Sequence, residues 1–381
     1  MKTNNKIKIC HFVNRITGKD DGVFKHLIGQ LVYLDKEKFE QFIVFQGGEV
    51  VEKYLQSIQI KYYVIEEVEK KFSIKFFLNF LKILIKEKVD IINAHLIKPY
   101  VISGLLNIFL RKKLIFSYHG LFIKNDYNSN LEQSIYKISH FLITLFNKVY
   151  VLTPSNKSKD ILLTETKRFF KIFSYYQGKA LFYFNNQSDK QIELELKNLK
   201  SEYLIIAFVG RLNREKNAQL CIDIFSRVSE SNKNVYLVIF GSGEEEESLK
   251  AYVKSSNLER IKFYGYVNNA NIYMKYFDIL ILTSKREGMP IVVWEAMNNS
   301  IPVLSTKVGG VEEILTENKC GILFKKKNIL DGVVNLLLII KDKDLRVSLG
   351  ENGKKAIDTK YSLKNFTNFF ENFYNQILNE K

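Results

Sequence analysis

The stretch that decides the fold is Thr283-Ser284-Lys285-Arg286-Glu287-Gly288-Met289-Pro290-Ile291-Val292-Val293-Trp294-Glu295-Ala296-Met297. It follows a short apolar run, Ile279–Leu282, which is typical of a buried parallel strand. Pro290 suits the first position of a helix, where its missing N–H costs nothing. The stretch therefore predicts a strand, a tight turn and a helix, which is the repeating unit of an open parallel sheet.

The turn in this stretch has the residues of an anion site. Gly288 lets a ligand approach the backbone closely. We expect the amides of Gly288, Met289 and Ile291 to be unpaired donors at the positive end of a helix dipole, where phosphates and hydroxyls bind well. Glu287 and Glu295 flank these amides, and carboxylates beside an anion site suit the hydroxyls of a sugar. The pattern predicts a nucleotide-sugar site; the alternative is a plain strand–loop–helix turn whose Glu residues only cap and solvate it.

The spacing of the two carboxylates is specific. Glu287 and Glu295 enclose seven residues, and the segment resembles the E-x7-E signature of retaining glycosyltransferases of the GT-B fold, family 4. The resemblance implies that Glu287 contacts hydroxyls of the transferred sugar and that Glu295 holds the nucleotide ribose. The intervening turn, with Gly288, Met289, Pro290 and Ile291, is then part of the donor site.

A second element lies near the start of the second half of the chain. Arg211 and Lys216 are five residues apart on a loop that leaves a strand and enters a helix, so both cations can converge on a diphosphate. With Gly210, this loop is similar to the G-R-x(n)-E-K element of the same family, whose Arg and Lys neutralise the donor diphosphate. A basic loop that is only solvated is the alternative. Further on, Tyr266 and Val267 resemble the loop whose backbone contacts the base.

Three residues of the first half are candidates through the same resemblance. Gly22 lies in the first strand–helix turn, which in the family covers the phosphates and the acceptor; here the usual paired glycines are reduced to Asp21-Gly22. His119 ends a buried strand, and the family places a His there against an outer hydroxyl of the donor sugar. His95 also ends a strand, where acceptor contact and a structural role are both open.

Strands and helices alternate along the whole chain, which predicts an α/β protein with helices covering parallel sheets. The resemblance implies the GT-B architecture, in which two Rossmann-like domains face each other across a cleft and the C-terminal helix crosses back to the N-terminal domain. We assign 1–184 with 361–381 to an acceptor-side domain, 185–360 to a nucleotide-sugar domain and 185–200 to a linker. Predicted strands are 7–13, 42–45, 62–65, 91–93, 114–118, 149–153, 204–209, 235–240, 261–264, 279–282 and 302–305.

Composition narrows the function classes. The chain has 381 residues and a net charge of +16, without an apolar run of the ~18 residues that a spanning helix needs. Residues 1–185 hold 29 Lys and Arg against 16 Asp and Glu, whereas 186–381 hold 28 against 25. The basic first half predicts a polyanionic neighbour, and helix 73–88 suits peripheral contact with an anionic membrane; simple packing of that helix on the sheet is the alternative.

We expect a cytoplasmic protein, either free or at the inner face of the cell membrane, with three buried free cysteines. The resemblance implies a nucleotide-sugar donor, with UDP favoured, a glycan or lipid-linked acceptor, no cofactor and no metal. The only D-x-D, at 342–344, reads as a solvated turn. Two alternatives are a catalytically silent partner subunit and a basic nucleic-acid-binding protein. We expect no nucleic-acid partner, because the aromatic residues have the periodicity of a core rather than of a base-stacking surface.

Overall fold

The structure is a computed structural model that describes residues 6–16, 21–66, 73–119, 130–165, 169–181 and 188–380, except for the side chains of 130–133 and 165. The chain divides into two compact units. The first unit is Met1–Phe182 with Leu363–Lys381, and the second is Tyr183–Ser362.

The first unit contains a seven-stranded parallel sheet covered by helices. Its strands are β1 (Ile7–Arg15), β2 (Phe39–Gln46), β3 (Lys61–Val64), β4 (Ile91–His95), β5 (Lys113–Ser117), β6 (Val149–Thr153) and β7 (Lys171–Ser174). The connecting helices are α1 (Gly22–Tyr33), α2 (Glu49–Ser57), α3 (Ile74–Glu87), α4 (Ile97–Leu110), α5 (Asn130–Phe146) and α6 (Asn156–Glu165). The strand order is β3-β2-β1-β4-β5-β6-β7.

The second unit repeats this plan with six parallel strands. They are β8 (Leu204–Val209), β9 (Val235–Phe240), β10 (Ile261–Gly265), β11 (Ile279–Leu282), β12 (Val303–Thr306) and β13 (Gly321–Phe324), in the order β10-β9-β8-β11-β12-β13. The helices are α7 (Lys190–Glu202), α8 (Ala218–Ser231), α9 (Glu246–Ser255), α10 (Ile291–Asn298), α11 (Gly309–Asn318), α12 (Ile329–Lys341) and α13 (Lys343–Asp358), with a 3-10 helix at Ala270–Tyr276.

Each sheet has one point where the direction of strand addition reverses. In the first unit it lies between β1 and β4, and in the second between β8 and β11. The loops that leave these neighbouring strands diverge, so each pair opens a crevice at the carboxyl edge of its sheet, where ligands of such sheets bind. The two reversal points are therefore where a functional site is expected.

The last helix, α14 (Leu363–Asn379), belongs to the first unit. Its aromatic stripe packs against the sheet: Phe366, Phe370, Phe373 and Tyr374 lie in one core with side chains of β1, β4, β5 and β6. The hydroxyl of Tyr374 donates to Gln30 Oε1 of α1 at 3.0 Å. The predicted return of the C-terminal helix to the N-terminal half is confirmed.

Most predicted elements are present, with four differences. Edge strands β7 and β13 were not predicted; each has only four residues, most of them half-buried. The predicted linker is wrong over 190–200, where the chain forms α7. The Asp189 side chain caps this helix by accepting from the amides of Gln191 and Ile192, and Leu196 is fully buried. Residues 185–187 lie outside the described residues. Finally, Pro290 is the residue before α10 rather than its first residue.

Two other predictions concern the interior and the bilayer. Cys10, Cys221 and Cys320 are buried free thiols, as predicted. Among the described residues, no helix combines the length and the apolar character that crossing a membrane requires.

The packing of α14 leads to a stability prediction. Phe370 is fully buried on this helix, so Phe370→Ala should lower the free energy of unfolding by about 3–5 kcal/mol through lost burial and a cavity. Urea unfolding followed by circular dichroism measures the change. The exposed neighbour Asn368→Ala is the control and should change stability by less than about 0.5 kcal/mol. Equal effects of both substitutions would contradict the assigned packing.

Candidate active site

The loops after β8 and β11 meet at the reversal point of the second sheet. The Lys216 ammonium lies 2.5 Å from Glu287 Oε1, and the hydroxyl of Ser284 donates to the same oxygen at 2.6 Å. The Glu287 side chain is only 10% exposed and that of Lys216 30% exposed. Within the described part of the chain, Glu287 Oε2 has no hydrogen-bond partner, so this half-buried carboxylate keeps one acceptor for a ligand.

Three further contacts hold these two loops together. The Thr283 hydroxyl donates to the carbonyl of Asn217 at 2.8 Å, and the Lys285 amide donates to the carbonyl of Glu215 at 2.8 Å. The Arg286 guanidinium forms a two-point ion pair with the Glu215 carboxylate. Hydrogen bonding to Arg286 lowers the pKa of Glu215, so the pair stays ionised at neutral pH. The register of the two loops is thus fixed independently of Lys216.

The loop after β12 supports the turn from the other side. Gly309 has φ +40°, and a Cβ atom there would lie 1.8 Å from the carbonyl oxygen of Glu287. The amide of Gly310 donates to the Gly288 carbonyl at 2.7 Å, and the Thr306 hydroxyl donates to the Ser284 carbonyl at 2.6 Å. Only glycine at position 309 permits this close approach to the Glu287 carbonyl oxygen. Gly309 and Gly310 therefore shape the turn that carries Glu287 and Gly288.

The predicted amide donors lie where α10 begins. Among the described residues, no partner accepts a hydrogen bond from the amides of Gly288, Met289 or Ile291, as expected for a turn that enters a helix. These amides are available to an anion. Glu295 lies farther along α10 and is 6% exposed; its carbonyl accepts the amide and side chain of Asn299.

The remaining candidates of this unit occupy loops at the same carboxyl edge. The Arg211 side chain is exposed and, within the described residues, makes no ion pair. Gly210 follows β8, and its amide donates to the Phe240 carbonyl at 2.9 Å. The next residue, Gly241, has φ +146° and packs tightly against Gly210. A Cβ atom at Gly241 would lie 1.8 Å from the Gly210 carbonyl oxygen, so this position requires glycine. Tyr266 and Val267 follow β10, and Tyr266 is 62% exposed.

A chain of buried histidines occupies the reversal point of the first sheet. His11 Nδ1 lies 3.3 Å from His95 Nε2, and His95 Nδ1 lies 3.0 Å from His119 Nε2. His11 Nε2 lies 3.0 Å from Gln41 Oε1. Asn93 Nδ2 lies 3.3 Å from His11 Nδ1, and Asn93 Oδ1 accepts a hydrogen bond from the Ser117 hydroxyl at 2.7 Å. His119 was predicted to be a ligand contact; the structure places it at the outer end of this chain.

The hydrogen-bond partners decide which nitrogen of each ring carries the proton. Gln41 Nε2 donates to the Gln30 carbonyl at 2.9 Å, which leaves Gln41 Oε1 to accept from His11 Nε2. A neutral His11 therefore accepts at Nδ1, where Asn93 Nδ2 and His95 Nε2 both lie at 3.3 Å. We infer that His95 donates from Nε2 and accepts at Nδ1, because the other tautomer would set two nitrogen lone pairs against each other. His119 then donates from Nε2, and its Nδ1 carries a lone pair. That Nδ1 atom is buried and has no partner among the described residues.

Burial keeps these imidazoles neutral. Desolvation lowers the pKa of His11 to about 4 and that of His119 to about 3, and it holds the pKa of His95 well below its ordinary value. Nearby imidazoles lower the pKa values of His95 and His119 further. His26 of α1 is close to His119, with ring centroids 5.7 Å apart, and its Nδ1 contacts Gln177 Oε1 at 3.3 Å.

The last first-unit candidate lies at the start of α1. Gly22 is exposed, and a Cβ there would touch nothing within 4 Å, so the backbone does not require glycine at this position. Asp21 caps the helix by accepting from the amides of Val23 and Phe24. Across the described residues, no group of three or more His, Cys, Asp or Glu side chains is placed to hold a metal ion.

Sequence patterns did not identify several of these residues. Ser284, Glu215 and Arg286 lie inside the quoted motifs. The contact between Glu215 and Arg286 joins residues 71 positions apart, whereas that between Ser284 and Glu287 joins residues three positions apart. His11 and Gln41 lie in β1 and β2 and were not considered. The histidine inside the apolar run of β1 could have indicated this polar cluster, because a buried imidazole requires a hydrogen-bond partner.

Comparison with known proteins gives matches over both units. A model described as Glycosyltransferase Family 4 matches residues 21–167, and one described as Glycosyl transferases group 1 matches residues 189–356. A capsular polysaccharide biosynthesis glycosyltransferase, CapM of Staphylococcus aureus, is 22% identical over 92% of this chain and 94% of its own. A UDP-Gal:alpha-D-GlcNAc-diphosphoundecaprenol alpha-1,3-galactosyltransferase of Escherichia coli is 22% identical over 95% of each chain.

The fold is also found among solved structures. Anabaena HepE, solved in complex with UDP, aligns with a TM-score of 0.80 at 17% identity, covering 97% of this chain and all of that one. At this identity the likeness shows the fold alone.

The histidine chain leads to a spectroscopic prediction. In wild-type protein with 15N-labelled histidine, two-bond 1H–15N spectra should show His119 protonated at Nε2 and not at Nδ1. Gln41→Leu removes the acceptor that fixes the direction of the hydrogen bonds between the histidines. His119 should then show both tautomers. Gln56→Leu, at an exposed position outside the chain, is the control and should leave the spectrum unchanged. A wild-type His119 protonated at Nδ1 would contradict the deduced direction of the chain.

The lowered pKa values also predict how stability changes with pH. Unfolded histidine has a pKa of about 6.5, so below that pH the unfolded chain binds more protons than the folded one. The stabilisation is complete above about pH 6.5 and is lost as the pH falls towards the folded-state values, by up to about 1.4 kcal/mol per pH unit for each histidine. Hydrogen exchange, corrected for intrinsic rates, should show β4 and β5 losing protection between about pH 7 and about pH 5. Since all five histidines are in the first unit, β11 and β12 are the internal control; equal loss in both sheets would contradict this origin.

Proposed function

The chain belongs to the family 4 glycosyltransferases of the GT-B fold, and on that basis we propose that it is a retaining enzyme acting on a nucleoside diphosphate sugar. UDP-sugars are the favoured donors. The proposed acceptor is a glycan or a lipid-linked glycan in bacterial surface polysaccharide synthesis. The observation that carries the proposal is the Lys216–Glu287 contact, which joins a cation for the diphosphate to an acceptor for sugar hydroxyls at the reversal point of the second sheet.

The charge around that reversal point supports a diphosphate ligand. Loops 210–217, 283–290 and 307–308 carry six cations (Arg211, Arg214, Lys216, Lys285, Arg286, Lys307) and two carboxylates (Glu215, Glu287). Their sum is +4, because six minus two is four. A leaving diphosphate gains negative charge as the bond to the sugar breaks, and cations and amides that are already oriented stabilise that charge.

The pairing of Lys216 has a consequence for donor binding. Without ligand, its ammonium neutralises Glu287, and the ammonium is the more exposed partner. An incoming diphosphate competes for Lys216, while Ser284 continues to hold Glu287 Oε1. Glu287 Oε2 then accepts from a sugar hydroxyl. Arg211, which has no ion-pair partner among the described residues, supplies a second charge to the diphosphate.

For the chemical step we propose displacement on one face of the sugar. The polar cluster at the reversal point of the first sheet (His11, Gln41, Asn93, His95, Ser117, His119) is made of neutral groups and holds no carboxylate. It therefore offers no group for a covalent glycosyl intermediate. A leaving phosphate oxygen takes the acceptor proton instead, and His119 Nδ1 accepts a hydrogen bond from a hydroxyl. We propose that positive charge comes from Arg211, Lys216 and the α10 amides without a metal ion.

The names of the relatives support the proposed acceptor class. One is named for capsular polysaccharide biosynthesis, and the other for transfer to a sugar on diphosphoundecaprenol. The second name also contains a UDP-sugar, and HepE was solved with UDP. These names favour UDP over GDP and a surface glycan over a small soluble acceptor.

The decisive substitution is Lys216→Ala. It removes a charge-assisted contact and leaves Glu287 facing the diphosphate, so the dissociation constant for UDP should rise about 10- to 100-fold. Titration calorimetry measures it, and circular dichroism should show an unchanged fold. Lys233→Ala, at an exposed position before β9, is the control and should bind UDP normally.

Two outcomes would count against the proposal. If the Lys216→Ala variant binds UDP as tightly as wild type does, and GDP as tightly as wild type does, the second reversal point is not the donor site. If wild type binds UDP but consumes no UDP-sugar with any glycan acceptor offered, the catalytically silent partner subunit becomes the better assignment. For an active enzyme, NMR of the product's anomeric proton tests whether configuration is retained.

A further inference from the structure

Helix α5 is apolar on the side that faces solvent as well as on the side that faces the sheet. Its buried side carries Tyr136, His140 and Ile143. Its outer side exposes six large apolar residues, namely Ile135, Ile138, Phe141, Leu142, Leu145 and Phe146. At 100° per residue these six span an arc of about 140°. A surface helix normally places polar residues on that side, so the outer face of α5 is built for contact with another surface.

The apolar surface continues onto the end of α4. Asn107 of α4 donates to Asn147 Oδ1 at 2.8 Å, and Asn147 donates to the Gly104 carbonyl at 3.3 Å, so the C-terminal ends of α4 and α5 lie together. Phe109, which is 84% exposed, lies at this end of α4. We call Phe109 and the six exposed α5 residues the α4–α5 face.

Among the described side chains of this helix layer, positive charges outnumber negative ones. From 73 to 119 and from 130 to 165, the described side chains include three carboxylates, Glu87, Asp90 and Asp160. Glu87 is buried in contact with Lys61 and Tyr63, and Asp90 accepts the Lys8 amide. The cations of the same ranges are Lys75, Lys82, Lys86, Lys88, Lys98, Arg111, Lys112, Lys113, Lys137, Lys148, Lys157 and Lys159. Three of them, Arg111, Lys112 and Lys148, border the α4–α5 face at its C-terminal end.

We propose that the α4–α5 face docks on an anionic lipid surface. Apolar side chains that enter the acyl boundary, bordered by lysine and arginine at headgroup level, are the composition of an interfacial helix pair. Helix α5 has 17 residues, so at ~1.5 Å per residue it lies along about 25 Å of membrane surface. Docking is independent of donor binding; only the inference that it brings the enzyme to a lipid-linked acceptor rests on the proposed function.

Charge favours a membrane over a second copy of the chain. A dimer through this face would bring the bordering cations of two copies to one interface, and like charges oppose such a contact. An anionic lipid surface pairs with them. Helix α3, the helix for which the sequence predicts membrane contact, packs Phe76, Phe80 and Leu84 in the core. Its outer side also exposes the apolar residues Ile74, Leu78 and Ile85, fewer than α5 exposes. Its outer side adds Lys75, Lys82 and Lys86 to the positive charge.

The test is co-sedimentation of the full chain with vesicles of phosphatidylcholine alone and of phosphatidylcholine mixed with phosphatidylglycerol. Wild type should bind the mixed vesicles, and binding should weaken as salt is raised. The double variant Leu145→Asp/Phe146→Asp, at exposed positions where folding is undisturbed, should lower the partition coefficient at least about tenfold. Arg111→Glu/Lys112→Glu should also lower the partition coefficient at least about tenfold, through the change of charge alone.

A matched control comes from the second unit. Leu330 and Val334 are 65% and 64% exposed on α12, so Leu330→Asp/Val334→Asp introduces the same charges at the same degree of exposure. This control should bind vesicles like wild type. UDP affinity, measured on every variant, should stay unchanged, which separates failure of docking from failure of the donor site.

Three results would overturn the proposal. Vesicle binding that is absent, or that is equal in the α5 variant and the α12 control, removes the docking role. A concentration-dependent dimer in analytical ultracentrifugation that Leu145→Asp/Phe146→Asp abolishes would assign the face to a second copy. Binding to single-stranded DNA without binding to vesicles would assign the charge to nucleic acid.

Discussion

Glu287 Oε1 accepts from both Lys216 and Ser284, and this shared oxygen connects loops that leave two neighbouring strands. The contact exists because β8 and β11 are adjacent and parallel, so both loops emerge at the same edge of the sheet. The Glu215–Arg286 ion pair and Gly309 then hold the loops in register around it. The unpaired amides at the start of α10 face a ligand only while this register is kept.

The first sheet has the same kind of reversal point, but the polar groups there are uncharged. At its reversal point the polar groups are neutral imidazoles, amides and a hydroxyl, and each must find a partner because all are removed from water. One glutamine amide is enough to set the direction of the chain, since Gln41 Oε1 can only accept. The result is a lone pair at His119 Nδ1. The second sheet thus gathers positive charge that suits an anion, whereas the first orients an acceptor nitrogen that is itself buried.

The surfaces away from the reversal points are also unequal. The first half of the chain has a net charge of +13, from 29 minus 16, and the second half +3, from 28 minus 25. Twelve of the 29 cations of the first half lie in residues 73–119 and 130–165, the segments that contain α3 to α6, where the structure describes three carboxylate side chains and two of these are already engaged. Excess positive charge and exposed apolar residues therefore occur on the same layer, a combination that core packing does not require.

The sequence by itself determined the class of fold and the main charged residues of the proposed donor site. Continuous apolar runs such as 204–209 and 279–282 match their strands to the residue, because buried parallel strands tolerate few polar positions. Arg211, Lys216 and Glu287 stood out through local spacing. Only the tertiary structure decided which of these touch and through which atoms. Lys216 and Glu287 are 71 positions apart and His11 and His95 are 84 apart, and their contacts depend on strand order, which no local pattern encodes.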